Sequence, residues 1–265
     1  MYLIIFIIFI AITIFYLKKI WNPYIPSYLK QKKMLFFGHR GAPDIAYENT
    51  INSFLEAVKS NVDGIELDVQ LSADKKLIVF HDLSFYNSDG KEQKINKLNY
   101  SEIKKHQLKN GEKIPLLSEV LVILPKKCTK IIEIKCKEFI SLGVENKILD
   151  ELIKYNAIET SIISSFNPLV LRRIKKMNSQ IQTALLWTTE EPLFFINTPL
   201  IVWFCMPDGL HIDINDINKN FTKWIRKKNM SILAFTITNI EELKKASKLN
   251  LDGVIIDDLN LIQHL

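Results

Sequence analysis

The chain predicts an α/β protein: a (βα)8 TIM-type barrel with a small insertion after its third strand and an N-terminal transmembrane helix ahead of it. Three observations carry that expectation. From residue 34 onward, short β-branched runs alternate with amphipathic stretches of helical period. The short runs are apolar along their length, as parallel strands covered on both faces are. Of 265 residues, 48% apolar, about 230 are left for one buried core, the usual size of such a barrel.

Residues 2–17 carry no charge. As a helix they would span roughly 24 Å, and Ile20 and Trp21 extend the apolar stretch. Trp21 and Tyr24 suit an interfacial position. The run lacks the basic start and small-residue cleavage site of a signal peptide. Residues 1–21 are therefore expected to be an uncleaved membrane anchor, and 22–33, with Asn22-Pro23-Tyr24-Ile25-Pro26, a short stiff linker. Lys18, Lys19, Lys30, Lys32 and Lys33 all follow the run. The positive-inside rule then gives a membrane-anchored, single-pass protein with its main domain in the cytoplasm. Cys128, Cys136 and Cys205 show no metal-ligand spacing and agree with a reducing compartment. The net charge of +6 permits an anionic partner. No basic stripe interleaves with aromatics, so nucleic acid is not expected.

Strands are expected at 34–38, 63–69, 77–81, 130–135, 160–164, 182–187, 209–213, 231–237 and 253–257. Helices are expected at 50–60, 141–156, 167–178, 216–228 and 239–250. Nine strands are one too many for a barrel of eight. The seven residues between Val69 and Leu77 are too few for a parallel crossover, so the polar stretch from Ser72 to Lys76 reads as a hairpin turn. With that turn centred on Asp74-Lys75, Asp68 faces His81. The polar, irregular residues 82–115 read as an insertion over the barrel mouth. The barrel domain then runs from 34 to 265.

Glu66 and Asp68 stand two apart on a strand, so they share a face. A solvent-facing edge strand has the same alternation. Glu133 and Lys135 repeat the spacing, and a local ion pair is the simple alternative there. Three carboxylates from two strands suit a hard cation, Mg2+ or Ca2+, and not a thiolate zinc site. His39 and His81 each end a strand beside acidic residues, as a general acid and a general base would. Arg40 offers a planar fork for phosphate oxygens and Lys135 a point charge. His106 and His264 read as solvated; His211 ends a strand, with lining the mouth only the lesser of its readings.

These residues fall into an ordered set: His39-Arg40-Gly41, Glu48-Asn49-Thr50, Glu66-x-Asp68-Val69, Val79-Phe80-His81-Asp82, Ile114-Pro115-x-Leu117-x-Glu119, Ile132-Glu133-Ile134-Lys135, Ser164-Ser165-Phe166 and Asp252-Gly253-Val254-Ile255. The set resembles the glycerophosphodiester phosphodiesterase family across about residues 34 to 262. The resemblance implies a (βα)8 barrel, a divalent metal, and hydrolysis of glycerophosphodiesters to glycerol 3-phosphate and an alcohol. It makes Glu66, Asp68 and Glu133 the metal ligands, His39 and His81 the acid–base pair, and Arg40 and Lys135 the phosphate-binding residues. Glu48 and Asn49 fall beside the metal or one layer behind it. Phe235 stands where the family's stacking tryptophan is usual. Thr238 replaces its asparagine, and Ile256 a common threonine.

The expected chemistry is metal-assisted cleavage of a phosphodiester, with either water or a substrate hydroxyl as nucleophile. A tethered barrel would also meet lysophospholipids. A lysophospholipase D activity is therefore the nearest alternative, with Leu193, Phe194, Phe195, Trp203 and Phe204 as apolar groups at the mouth. A catalytically silent, membrane-tethered binding or scaffold barrel is the alternative of a different class.

Overall fold

The computed structural model describes residues 2, 5, 8, 21–30, 33–87, 89–136, 142–190 and 198–264. In chain order they form β1 (Leu35–Gly38), α1 (Ile51–Lys59), β2 (Gly64–Leu71), β3 (Leu77–Val79), β4 (Ser84–Tyr86), β5 (Glu92–Lys94), α2 (Tyr100–Ile103) and α3 (Leu117–Ile123). Then follow β6 (Thr129–Ile134), α4 (Val144–Lys154), β7 (Ser161–Ser165), α5 (Pro168–Met177), β8 (Gln182–Trp187), α6 (Pro199–Cys205), β9 (Gly209–Asp213), α7 (Lys219–Arg226), β10 (Ser231–Ile237), α8 (Ile240–Lys248) and β11 (Gly253–Ile256). Strands β1, β2 and β6 to β11 are parallel neighbours, and β11 pairs back onto β1, Leu35 opposite Gly253. That closes an eight-stranded barrel.

The surplus strand is β3, antiparallel to β2. Its register is one residue away from the expected one. Val69 pairs with Val79 and Leu71 with Leu77, and Asp68 accepts the Phe80 N–H, so it faces Phe80 and not His81. The turn is the cause. Ser72 N–H donates to Lys76 O and Lys75 takes a left-handed φ of 61°, which leaves three loop residues centred on Asp74. An even-numbered loop had been assumed.

Apolar side chains form two shells. Ile65, Leu67, Val69, Ile132, Ile134, Leu210 and Ile212 face the helices. Leu35, Phe37, Ile131, Ile162, Ala184, Leu233 and Ile255 fill the barrel itself. The inner shell needs a lid at its lower end, where the strands begin. Leu29, 2% exposed, belongs to it, with Ile25 and Tyr28 packed alongside. Tyr24 N–H donates to Asp208 Oδ1 at 2.7 Å and Trp21 Nε1–H to Pro207 O at 3.1 Å. Residues 21–30, which take in most of the short stiff linker expected at 22–33, are thus a plug bonded into the barrel.

Three described helices lie outside the expected ones: the four-residue α2 in the 82–115 segment, α3 and α6. α6, Pro-Leu-Ile-Val-Trp-Phe-Cys, is apolar on all sides and shows no period. α3 is short and begins where Glu119 caps the Leu116 N–H. The expected membrane anchor falls mostly outside the described residues. Of its run, Tyr2, Ile5 and Ile8 are described, each more than half exposed. Among the described residues no helix is long and apolar enough to cross a membrane.

Candidate active site

The strands run from the plugged bottom to an open mouth, and the first turn at the mouth is the tightest. After β1, Arg40 (φ 52°) and Gly41 (φ 96°) reverse the chain. A Cβ on Gly41 would lie 2.4 Å from Ser53 Oγ, so only glycine lets α1 pack this close. Thr50 caps α1 by accepting the Ser53 N–H. That cap holds Asn49, also left-handed (φ 55°), over the barrel. Asn49 Nδ2 donates to Asp68 Oδ2 at 2.8 Å while its Oδ1 accepts the Asp68 N–H. The Glu48-Asn49-Thr50 triplet is therefore a bracket for Asp68.

Glu66 and Asp68 both point into the mouth, with their neighbours Ile65, Leu67 and Val69 buried in the outer shell. This is a central strand and not an edge. Glu133 enters from β6 in register with Asp68. Oxygens of Glu66, Asp68 and Glu133 lie within 4.8 Å of one another, and all three residues are buried. Burial and the Asp68 charge push the Glu66 carboxyl up to about 8. Burial likewise raises Glu133, against the pull of Lys135. Burial opposes the Asp68 charge too, but Lys135 and Arg40 hold that carboxyl below its usual range. Packed, desolvated carboxylates of this kind suit a hard divalent cation.

Cations ring the acids. Lys135 Nζ lies 2.6 Å from Glu133 Oε1 and 3.0 Å from Asp68 Oδ1. Arg40 Nη1 reaches both Glu48 oxygens at 2.9 Å, and its backbone N–H donates to Glu66. Its Nε lies 3.3 Å from Asp68 Oδ2 but lacks an aligned acceptor. A buried donor is left over there.

The two histidines sit in contrasting surroundings. Burial works to lower His39, yet a 2.6 Å contact from its Nδ1 to Asp257 and the nearby Glu66 leave its pKa raised. Burial and Lys135 lower His81, although its Nδ1 meets Asp82 at 2.8 Å. His39 is within electrostatic reach of Glu66, and His81 of Asp68. Phe235 borders the mouth edge-on to Phe166, ring centroids 6.4 Å apart. Where an asparagine was expected, Thr238 donates to Glu242, and Asn239 caps α8.

The sequence model of the "Glycerophosphoryl diester phosphodiesterase family" matches residues 39–261. The chain belongs to that family. It is a family of phosphoric diester hydrolases. A glycerophosphodiester phosphodiesterase of Caldanaerobacter subterraneus subsp. tengcongensis is 32% identical over 244 residues, covering 87% of this chain and 98% of that one. A solved glycerophosphodiester phosphodiesterase of Thermotoga maritima matches with a TM-score of 0.72 at 28% identity, covering 88% of this chain and 98% of its own. An Oleispira antarctica phosphodiesterase, solved in complex with the product sn-glycerol-3-phosphate, matches with a TM-score of 0.72 at 24% identity, covering 87% and 95%.

Every site residue read from the sequence, except Phe235 on its separate rim, thus lies at one place with its neighbours. Two residues of the site were not anticipated. Asp257 comes from the far end of the chain, 218 residues from His39, and only closure of β11 onto β1 joins them. Ser164, in register with Glu133, is buried with no partner for its hydroxyl among the described residues. Three other readings are settled or corrected. His211 does not line the mouth: it is wholly buried inside the barrel, neither ring nitrogen has a partner among the described residues, and burial pushes it down to about 3. His106 is stacked on Phe85, centroids 4.0 Å apart, and is only half exposed. Trp203 and Phe204 lie in the last turn of α6, where Trp203 meets Trp21 of the plug, at the end opposite the mouth. Leu193, Phe194 and Phe195 lie outside the described residues.

Proposed function

We propose that this chain hydrolyses glycerophosphodiesters to glycerol 3-phosphate and an alcohol, with His39 as general acid and His81 as general base. The observation that carries the reading is a buried triad of acids within electrostatic reach of two imidazoles of opposite pKa shift. Glu66, Asp68 and Glu133 would hold a divalent cation, Mg2+ or Ca2+. When bound, such an ion polarises a phosphate oxygen and offsets the crowding of negative charge. Arg40, through its spare Nε–H, and Lys135 bind the remaining phosphate oxygens. Glu48 fixes the Arg40 fork, and Asn49 fixes Asp68.

His81, held neutral by burial and Lys135, accepts the proton of the attacking hydroxyl. His39, held protonated by Asp257, gives its proton to the departing alkoxide. Asp257 still faces His39 when a cation has neutralised Glu66, so this contribution persists in the loaded site. Each transfer contributes about 10²–10⁴-fold. Phe235 supplies an apolar wall beside the bound glycerol.

The soluble diester is favoured over a lysophospholipid because Trp203 and Phe204, the two described residues of the five in the expected acyl-chain shelf, lie at the opposite end of the barrel. A silent scaffold is disfavoured because every acid and both histidines are present and brought together. In this reading residues 2–17 tether the protein to a membrane, with the barrel on the cytoplasmic side. Product analysis decides the matter. Glycerophosphocholine and a lysophospholipid are each offered with and without chelator, to the native chain and to His81→Ala. Release of choline and glycerol 3-phosphate by the native chain alone, abolished by chelator, is expected. Turnover that survives both chelator and His81→Ala would sink the proposal.

A further inference from the structure

The bottom of the barrel, remote from the site, carries features that the reaction does not use. Trp21 is bonded there to Pro207 and stacked edge-on to Trp203. Only three residues separate it from the end of the uncharged run 2–17. Fully extended, that connection reaches about 14 Å. The chain that precedes Trp21 therefore joins the barrel at this face. Around this junction, Tyr24 and Phe204 are 44% and 45% exposed, aromatic side chains of the kind that sit at a bilayer interface.

The same face is basic. The loops entering β1, β6 and β10 from below present Lys30, Lys33, Lys126, Lys127 and Lys227 to solvent, and Lys228 lies 4.1 Å over the Trp203 ring. Among the described acids at that end, Asp208 is engaged by Lys175 and Asp252 by Arg226, while Asp150 and Glu159 are exposed. The rim of the mouth carries Asp44, Glu48, Asp82 and Asp258, and the 82–115 segment beside it exposes lysines and acids together. We propose that the bottom face docks on a bilayer of anionic lipid. This orientation turns the mouth away from the membrane, by roughly 20 Å, the rise of the eight-residue β2 tilted as barrel strands are. Substrates then arrive from water, which rests on the phosphodiesterase reading above; the docking itself does not.

Amide hydrogen exchange on the full chain tests it, in vesicles of phosphatidylcholine with and without phosphatidylglycerol and in detergent. Anionic vesicles are expected to slow exchange at 126–128 and 227–230 and to leave the mouth segments 42–47 and 83–87 unchanged. Molar salt, which shortens the screening length to about 3 Å, removes the protection. So does the triple variant Lys126→Glu, Lys127→Glu, Lys227→Glu, with glycerophosphocholine turnover in detergent retained. Protection at the mouth segments would overturn the orientation. Equal protection in neutral vesicles, or protection in detergent that grows with protein concentration, would instead assign the face to uncharged lipid or to a second copy, and the proposal fails. Turnover measured on the same preparation keeps a failure of the enzymatic reading distinct.

Discussion

Replacing Asp257 by asparagine removes the negative charge from the contact with His39 and keeps its shape. That contact is 2.6 Å long, between a carboxylate 41% exposed and an imidazole 21% exposed. A hydrogen bond to a charged group is worth about 1.5–3 kcal/mol, and the exposure of Asp257 places this one at the lower end. A loss of about 1.4 kcal/mol lowers the His39 pKa by about one unit. The acid form of His39 is the working form, so activity declines as pH rises through its pKa. In Asp257→Asn that alkaline limb moves to lower pH by about one unit, and kcat/KM falls by about tenfold on the alkaline side of the native limb and by less near neutrality. The assay is the pH profile of kcat/KM on glycerophosphocholine for both proteins. A reduced rate with an unmoved alkaline limb, or a shift confined to the acid limb, would refute the assignment of His39 as the acid.

Four further outcomes follow from the geometry. Asp68→Asn should abolish the thermal shift that Mg2+ or Ca2+ gives the native chain; at one hundred times Kd that shift corresponds to about 2.7 kcal/mol, or roughly 5–10 °C for a barrel of this size. An undiminished shift in calorimetry would show that the ion binds elsewhere. Leu29→Ala should cost about 2–5 kcal/mol in urea unfolding because Leu29 seals the barrel interior, whereas a free linker would register under about 0.5 kcal/mol. His211, pushed down to about 3 when folded, takes up a proton on unfolding at any pH between that value and its ordinary 6.5. Native stability should therefore drop as pH falls through this window, by up to about 1.4 kcal/mol per unit, and His211→Leu should flatten the drop. Arg40→Lys, which keeps the charge and loses the fork, should weaken substrate binding at least tenfold, read as a raised KM.

Local order in the chain was enough for the barrel and for most of its site. A strand exposes every second residue on one face, so Glu66 with Asp68, and Glu133 with Lys135, were paired before any fold was known. Chain length between Val69 and Leu77 forced a hairpin. The Arg40-Gly41 and Glu48-Asn49-Thr50 turns fall where left-handed backbone and a helix cap are needed. What spacing could not yield was register. A three-residue loop with Lys75 left-handed and a loop centred on two residues differ by one position, and that position decides whether Asp68 faces Phe80 or His81.

The sequence alone pointed to the candidate site residues, because acids, imidazoles and a guanidinium beside apolar strands are costly to bury unless they serve one another. Tertiary structure alone decided who their partners are. Closure of β11 onto β1 brings Asp257 to His39 across most of the chain. The need to seal a hollow interior turns an apparent linker into a plug and carries Trp203 to the bottom. Contacts of this kind depend on how distant segments meet in space, and no periodicity along the chain records that.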